Sequence, residues 1–371
     1  MPNSPRIAAL AARDPAAARL VDDMLAISIA GLPAMWRANE RVFGHSLRLR
    51  GEALELVGTS PRYTAIVAVG AADHPEDAQR KALSGATARE LADSLTRFVP
   101  RAGLGDLALF TWACAATRAA PAPALAKQLI ERLAPGVSGP TVEVAWALRA
   151  LAAIPDAPGA RETASRVCVA LLAHSASGIF PHHVGKSGGL RAHVGCYADQ
   201  VYPIQALAWW SRVAGDRVAL AAAARCAERI CVLQGADGQW WWHYDARTGG
   251  LVEGYPVYSV HQDAMGPMAL FDLAEAGGPL HLDAIARGLR WLEPAPELGR
   301  SMLDRERNLI WRKAARREPN KLTRAVRGVA TGFAPGARLA MLDVLFPPGL
   351  VDAESRPYHL GWVLHAWPRS G

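Results

Sequence analysis

The sequence predicts an all-α protein, an (α/α)6 toroid of six helical hairpins with a short β excursion near residues 42–70. Three observations carry that expectation. Ala, Leu and Arg dominate while alternating Val, Ile and Thr are scarce, which favours helices over strands. Apolar residues recur at helical spacing in segments that come in pairs, one amphipathic and one apolar all round. A repeat runs through the third quarter, where His174, Gly178 and Phe180 precede Gln234, Gly238 and Trp240 by 60 positions.

Taken in order, residues 15–37 form one pair. The stretch from Arg41 to Ala72 then alternates and carries β-branched residues, so it reads as a hairpin broken at Ser60-Pro61. Segments 84–98, 122–133, 160–174, 217–234 and 280–293 read as outer helices with charged faces. Their partners, 105–118, 140–154, 199–214, 259–275 and 357–368, are apolar throughout and belong inside. The whole chain, 1–371, reads as one toroid domain with a basic insertion at about 295–355.

With 51% hydrophobic and 20% charged residues, disorder is excluded as the main state. No run approaches the roughly 20 apolar residues of a membrane span, and the N-terminus lacks a secretion signal's basic cap and apolar core, so a cytoplasmic setting is expected. The five cysteines, 114, 168, 196, 226 and 231, form no CxxC pair and read as free thiols. Charge is uneven. Ten basic residues between 300 and 327 face three acidic ones, which accounts for the whole net charge of +7. That segment reads either as a solvated charged loop or as a contact surface for an anionic glycan or membrane, and no nucleic-acid reading motif is present.

In such a toroid the loops before the inner helices open on one end and line a pocket. Asp199, Gln200 and Tyr202 begin one inner helix; Tyr258, His261, Gln262 and Asp263 begin the next; Arg356, Tyr358 and His359 begin the last. The loops add His182, His183, His193, the run Trp240 to Asp245, and Arg312 from the basic segment. Asp199 also sits where an N-cap belongs, and Ser259 with Gln262 has capping-box spacing. Asp263 lies inside an apolar helix, where a carboxylate needs a partner or a purpose. The expected catalytic set is Asp199 and Asp263 as an acid/base pair at matched heights on adjacent helices, with His261 and His359 tuning the proton. An offset of 63 aligns Gln200 with Asp263, one residue from Asp199. Gln200, Tyr202, Trp241, Trp242, His243, Tyr258, Gln262, Arg312 and Tyr358 are the expected substrate contacts, the indoles offering flat faces to sugar rings. Trp240 is expected to pack as the anchor of the repeat.

The string Gln234-x3-Gly238-x-Trp240 resembles the QW-type repeat of terpene cyclases and protein prenyltransferases. The runs DQVYPIQALAWWSRVAGD and LQGADGQWWWHYDARTG resemble hairpins of the six-hairpin glycosidases. The likeness covers roughly residues 160–293 and the last helix, and both families build the same toroid. The glycosidase resemblance implies acid/base chemistry by an Asp, carried over to Asp199. The function expected is therefore that of a carbohydrate-active enzyme that hydrolyses, eliminates or epimerises a sugar unit of an oligosaccharide or other small molecule. An isoprenoid-handling toroid is the alternative, weakened because neither a DxDD nor a DDxxD motif is present. A noncatalytic binding scaffold is the third reading. Gly195-Cys196-Tyr197 and SRPYHLGW resemble pieces of the zinc-binding strings of prenyltransferase β subunits, which would make Cys196 and His359 ligands. Val194 stands where the Asp ligand would be, so no cofactor is expected, zinc being the one metal weighed. GxSxG, Walker and GxGxxG motifs are all missing, which argues against a nucleotide cofactor.

Overall fold

The computed structural model describes residues 4–134, 136–185, 189–318, 321–337 and 339–369. Ser4 and Asp14 cap the first two helices, α1 (Pro5–Arg13) and α2 (Pro15–Gly31), each with proline at the first helical position where no backbone donor is needed. An antiparallel hairpin of strands Ser46–Arg50 and Ala53–Val57 follows. Ser60 then caps α3 (Pro61–Ala71) through Tyr63 N–H. Residues 61–71 are thus helix and not strand, and Ser60-Pro61 starts an element instead of breaking one. The β-branched residues that suggested a strand, Thr64, Ile66, Val67 and Val69, are all buried, and burial on every side overrides their weak helix propensity. In consequence residues 15–37 hold one outer helix, which precedes inner α3 along the chain.

The remaining pairs fall close to their expected bounds. Outer helices α4 (Glu76–Ala82) and α5 (Ala88–Ser94) precede inner α6 (Leu104–Ala116). Next come α7 (Ala122–Leu133) with α8 (Thr141–Ala152), and α9 (Ala160–Leu172) with α10 (Ala198–Ala214). Then α11 (Arg217–Val232) leads to a wide π turn, His261–Met265, that runs into α12 (Gly266–Glu275). Outer α13 (Leu282–Trp291) is followed by α14 (Leu322–Phe333), α15 (Ala340–Leu345) and the last inner helix, α16 (Pro357–Ala366).

The inner helices α3, α6, α8, α10, α12 and α16 each pack on the next, and α16 packs back on α3, which closes the ring. Two glycines permit that closure. A Cβ on Gly70 would stand 2.0 Å from the Gly361 carbonyl oxygen, and one on Gly361 would stand 2.9 Å from Val67 Cα. The repeat element ties neighbouring outer helices together. Gly238, at φ +96°, lies so close to α13 that a Cβ would be 2.1 Å from Arg287 O. Gln234 Nε2 donates to Gly238 O at 3.0 Å and to Ala284 O at 2.9 Å, and Trp240 is fully buried beneath.

Residues 292–356 are woven into the body more than a surface insertion would be. Strand Lys313–Arg316 pairs with Val257–Tyr258 on one side and Pro348–Asp352 on the other, and Glu354–Ser355 pairs with Ser46–Arg50. Most of the segment's charge is met internally. Arg305 binds Asp23 and Glu293, Arg307 binds Asp304, and Lys313 binds Asp352. Arg312 lies between Asp352 and Glu354, while Arg316 and Arg327 share Glu253 and Asp343. Six of the ten cations are therefore neutralised within the fold, which corrects the picture of a free basic surface at 300–327. Among the described residues no helix is long and apolar enough to cross a membrane.

Candidate functional site

The first turns of the inner helices and the loops above them enclose a central cavity of about 260 Å³. Helix α3 contributes Arg62 and Tyr63, α8 contributes Trp146, and α10 contributes Tyr202. The π turn brings His261, α16 brings Tyr358, and the loops bring Trp242, Tyr258 and Arg312. A second cleft, of about 440 Å³, shares Arg62 and Tyr63 and extends to Asp106.

The wall is largely built of aromatic pairs. Tyr63 meets Tyr358 at 4.7 Å between ring centroids, Trp146 meets Tyr202 at 5.1 Å, and Trp242 meets Tyr258 at 4.7 Å. His261 stacks on Trp242 with the ring planes 9° apart. Two guanidiniums lie on this surface, Arg62 over Trp146 and Arg312 over Tyr258. Burial raises the phenols of Tyr202, Tyr258 and Tyr358, so they remain hydrogen-bond donors at neutral pH. Burial also pushes His261 down to about 3, which keeps its imidazole neutral, and its Nδ1 has no partner among the described residues. Arg312 Nε is likewise unpartnered there.

Two carboxylates outside the expected set are tied to this cavity through Arg62. Asp106 and Glu143 are each the third residue of an inner helix, α6 and α8, and Arg62 joins them. Its Nε donates to Asp106 Oδ1 at 2.6 Å and its second terminal nitrogen to Glu143 Oε1 at 3.1 Å. Asp106 and Glu143 keep 29% and 22% of their side-chain surface exposed, enough to be reached by a ligand. Their shared position in the first turn was legible in the strings LGD and TVE. Arg62 and Tyr63 were hidden because residues 61–71 resemble a strand.

Asp199 and Asp263 do not sit as a matched pair on the cavity wall. Gln200 and Gln262 show why. Gln200 Oε1 accepts Phe180 N–H while its Nε2 donates to Cys196 O; Gln262 Oε1 accepts Trp240 N–H while its Nε2 donates to Tyr258 O. These are one bracket repeated at an offset of 62, not 63, so the counterpart of Asp199 is His261, and Asp263 lies two residues further along its helix. Both glutamines are fully buried and hold loop backbone, which corrects their expected role as substrate contacts. Asp199 is the second residue of α10, not its N-cap; its Oδ2 accepts Cys196 N–H at 2.7 Å and meets His182 Nδ1 at 3.0 Å. Ser259 makes no capping box, since its hydroxyl donates to Trp311 O. Asp263 is buried behind the wall, with Oδ2 2.7 Å from His359 Nε2, and burial raises its pKa. His359 is thus engaged with Asp263 and also lies behind the wall.

Two further expected contacts lie elsewhere. Trp241 packs edge-on to Tyr255 and over Gly254, and His243 is buried on a strand directly opposite Cys196. The zinc implied by Cys196 and His359 does not fit, because Cys196 neighbours Asp199 and His182 while the His359 ring nitrogen is taken by Asp263.

No family model and no curated protein sequence matches the chain. Solved structures do. An unsaturated glucuronyl hydrolase from Bacillus sp. GL1, described as responsible for degrading glycosaminoglycan, aligns over 94% of both chains with 15% identity and a TM-score of 0.58. An unsaturated glucuronyl hydrolase specific for heparin covers 94% of this chain and 96% of its own at 12% identity and a TM-score of 0.61. Cellobiose 2-epimerase from Bacillus thermoamylovorans covers 91% and 94% at 11% identity, with a TM-score of 0.61. At such identities the likeness establishes architecture alone, and the chain folds as an (α/α)6 toroid.

Proposed function

We propose that this chain is a carbohydrate-active enzyme whose central cavity receives one sugar unit carrying a negative charge. The observation that carries the reading is the cavity wall itself, an aromatic surface set with Arg62 and Arg312. Flat rings such as Trp146 and Trp242 suit the apolar faces of a pyranose. Arg312, with an unpartnered Nε, suits a carboxylate on that sugar. The solved structures of similar fold include hydrolases that act on glucuronyl units, which agrees with that substrate class. Asp106 and Glu143 serve as the acid and base, held apart and oriented by the Arg62 guanidinium between them. Neutral His261 is the polar group on the opposing π turn and completes the site with a hydrogen bond to substrate. Hydrolysis, elimination and epimerisation are each served by a proton donor and a proton acceptor at the site. The isoprenoid alternative loses ground because the chain carries neither a DxDD nor a DDxxD motif. All five cysteines are unpaired, which supports a reducing, cytoplasmic setting.

The test is a thermal-shift panel of uronic-acid disaccharides, neutral disaccharides and isoprenyl diphosphates. A ligand at a hundred times its dissociation constant stabilises by about 2.7 kcal/mol. Uronic-acid sugars should stabilise the protein, and Arg312→Met should remove their advantage over neutral ones. Stabilisation by isoprenyl diphosphates alone would overturn the proposal. Sugar binding with no turnover of any disaccharide would leave a binding scaffold instead of an enzyme.

A further inference from the structure

Next to the cavity, the start of α10 gathers three side chains of metal-ligating type. One ligand atom from each of His182, Cys196 and Asp199 lies within 4.8 Å of the other two. Each is placed by a separate constraint. Cys196 lies on a strand paired with His243–Asp245, Asp199 occupies the second position of α10, and His182 sits in the loop that Gln200 pins at Phe180. Asp199 is fully buried, and although its Oδ2 is hydrogen-bonded, its Oδ1 has no partner among the described residues. Leaving a buried carboxylate oxygen unpaired is costly, so the site carries an unmet demand for a cation or donor. His243, opposite Cys196 on the paired strand and therefore on the same face, is also buried with an unpartnered Nδ1.

We propose that His182, Cys196 and Asp199 form a binding site for one divalent transition-metal ion, zinc by ligand class, with the fourth position open. A thiolate, an imidazole and a carboxylate are all accepted zinc ligands, and three protein ligands with one open position is the arrangement of reactive rather than purely structural zinc. Tetrahedral bonds of 2.0–2.3 Å place neighbouring ligand atoms about 3.3–3.8 Å apart; His182 Nδ1 and Asp199 Oδ2 stand 3.0 Å apart and no pair exceeds 4.8 Å, so loading needs shifts of about 1 Å or less. His182 can supply that movement, since its side chain is 66% exposed. On binding, the Cys196 thiol releases its proton to solvent, the sulfur forms the bond to the metal, and thiolate plus carboxylate balance the dication. No redox change is involved.

The test uses the full chain, purified without chelator. Metal content is measured by elemental analysis, and cobalt(II) is titrated in to follow the thiolate-to-cobalt charge-transfer band and the tetrahedral d–d bands. About one equivalent should bind, with both features present. Cys196→Ser should abolish the charge-transfer band, and His182→Ala, with its melt measured alongside because His182 also bonds the buried Asp199, should weaken cobalt binding by about tenfold or more. Cys231→Ser serves as the control and should change neither. Binding of less than about a tenth of an equivalent at micromolar cobalt, or a charge-transfer band that survives Cys196→Ser, would overturn the assignment.

Discussion

Gly70→Ala tests what holds the ring closed. Where α3 crosses α16 the added methyl would stand 2.0 Å from the Gly361 carbonyl oxygen, which is backbone and cannot rotate away. Ordinary contact lies near 3.5 Å, so the helices must part locally by about 1.5 Å. Two effects oppose each other. Alanine is the better helix former by about 1 kcal/mol. Overpacking costs about 1–3 kcal/mol, and the parting also loosens Leu360, Trp362 and Val363, all buried on α16. Net destabilisation of about 2 kcal/mol is expected; with m near 3 kcal/mol/M, the urea midpoint falls by about 0.7 M. Tryptophan fluorescence reads the transition, because Trp112 and Trp362 pack together at this end of the ring with centroids 5.6 Å apart. Gly361→Ala meets Val67 backbone at 2.9 and 3.1 Å and should shift the midpoint the same way by less. An unchanged or raised midpoint in Gly70→Ala would show that propensity outweighs contact, and that close backbone approach is not what closes the toroid.

Asp106→Asn and Glu143→Gln should each lower kcat by about 10²–10⁴ on the uronic-acid substrate while thermal melts stay near wild type, the size expected for loss of a general acid or base. Gln262→Leu should destabilise by about 1–3 kcal/mol in urea titration, because the Trp240 N–H and Tyr258 carbonyl it bridges remain buried and lose their partner. Acid should weaken the fold through His261 and His365, both pushed down to about 3 by burial. The unfolded chain takes up these protons near pH 6.5 and the native state does not, so each contributes stability above pH 6.5 that is lost as pH falls toward 3, on the order of 1 kcal/mol per unit. Asp263, raised by burial, acts in the opposite sense, so the diagnostic reading is the slope of stability against pH: His365→Phe should flatten it. A slope unchanged by that substitution would mean the imidazole is not held neutral.

Local pattern was enough for most of the architecture. Apolar periodicity marked five inner helices, and the Gln234, Gly238 and Trp240 spacing marked a clamp between outer helices, because helix burial and turn geometry leave a trace within a few residues. Tyr202, Trp242, Tyr258, His261 and Tyr358, named from their place before or within inner helices, and Arg312, named from the basic segment, all lie on the cavity wall. Partnership was a different matter. Residues 61–71 have strand-like composition and become helix only because the ring buries every face of them, and with them Arg62 and Tyr63 reach the cavity. Asp199 and Asp263 look equivalent in sequence, yet the Gln200 and Gln262 brackets set the two hairpins one residue out of the assumed register. The acids that Arg62 joins, Asp106 and Glu143, come from different hairpins and meet through a guanidinium from a third. The same holds for His182, Cys196 and Asp199, gathered by a strand pairing with residues near 243. Periodicity along a chain records which face of a helix is buried, whereas which side chains share a cavity depends on the rotation and height at which separate helices pack, and no local pattern encodes that.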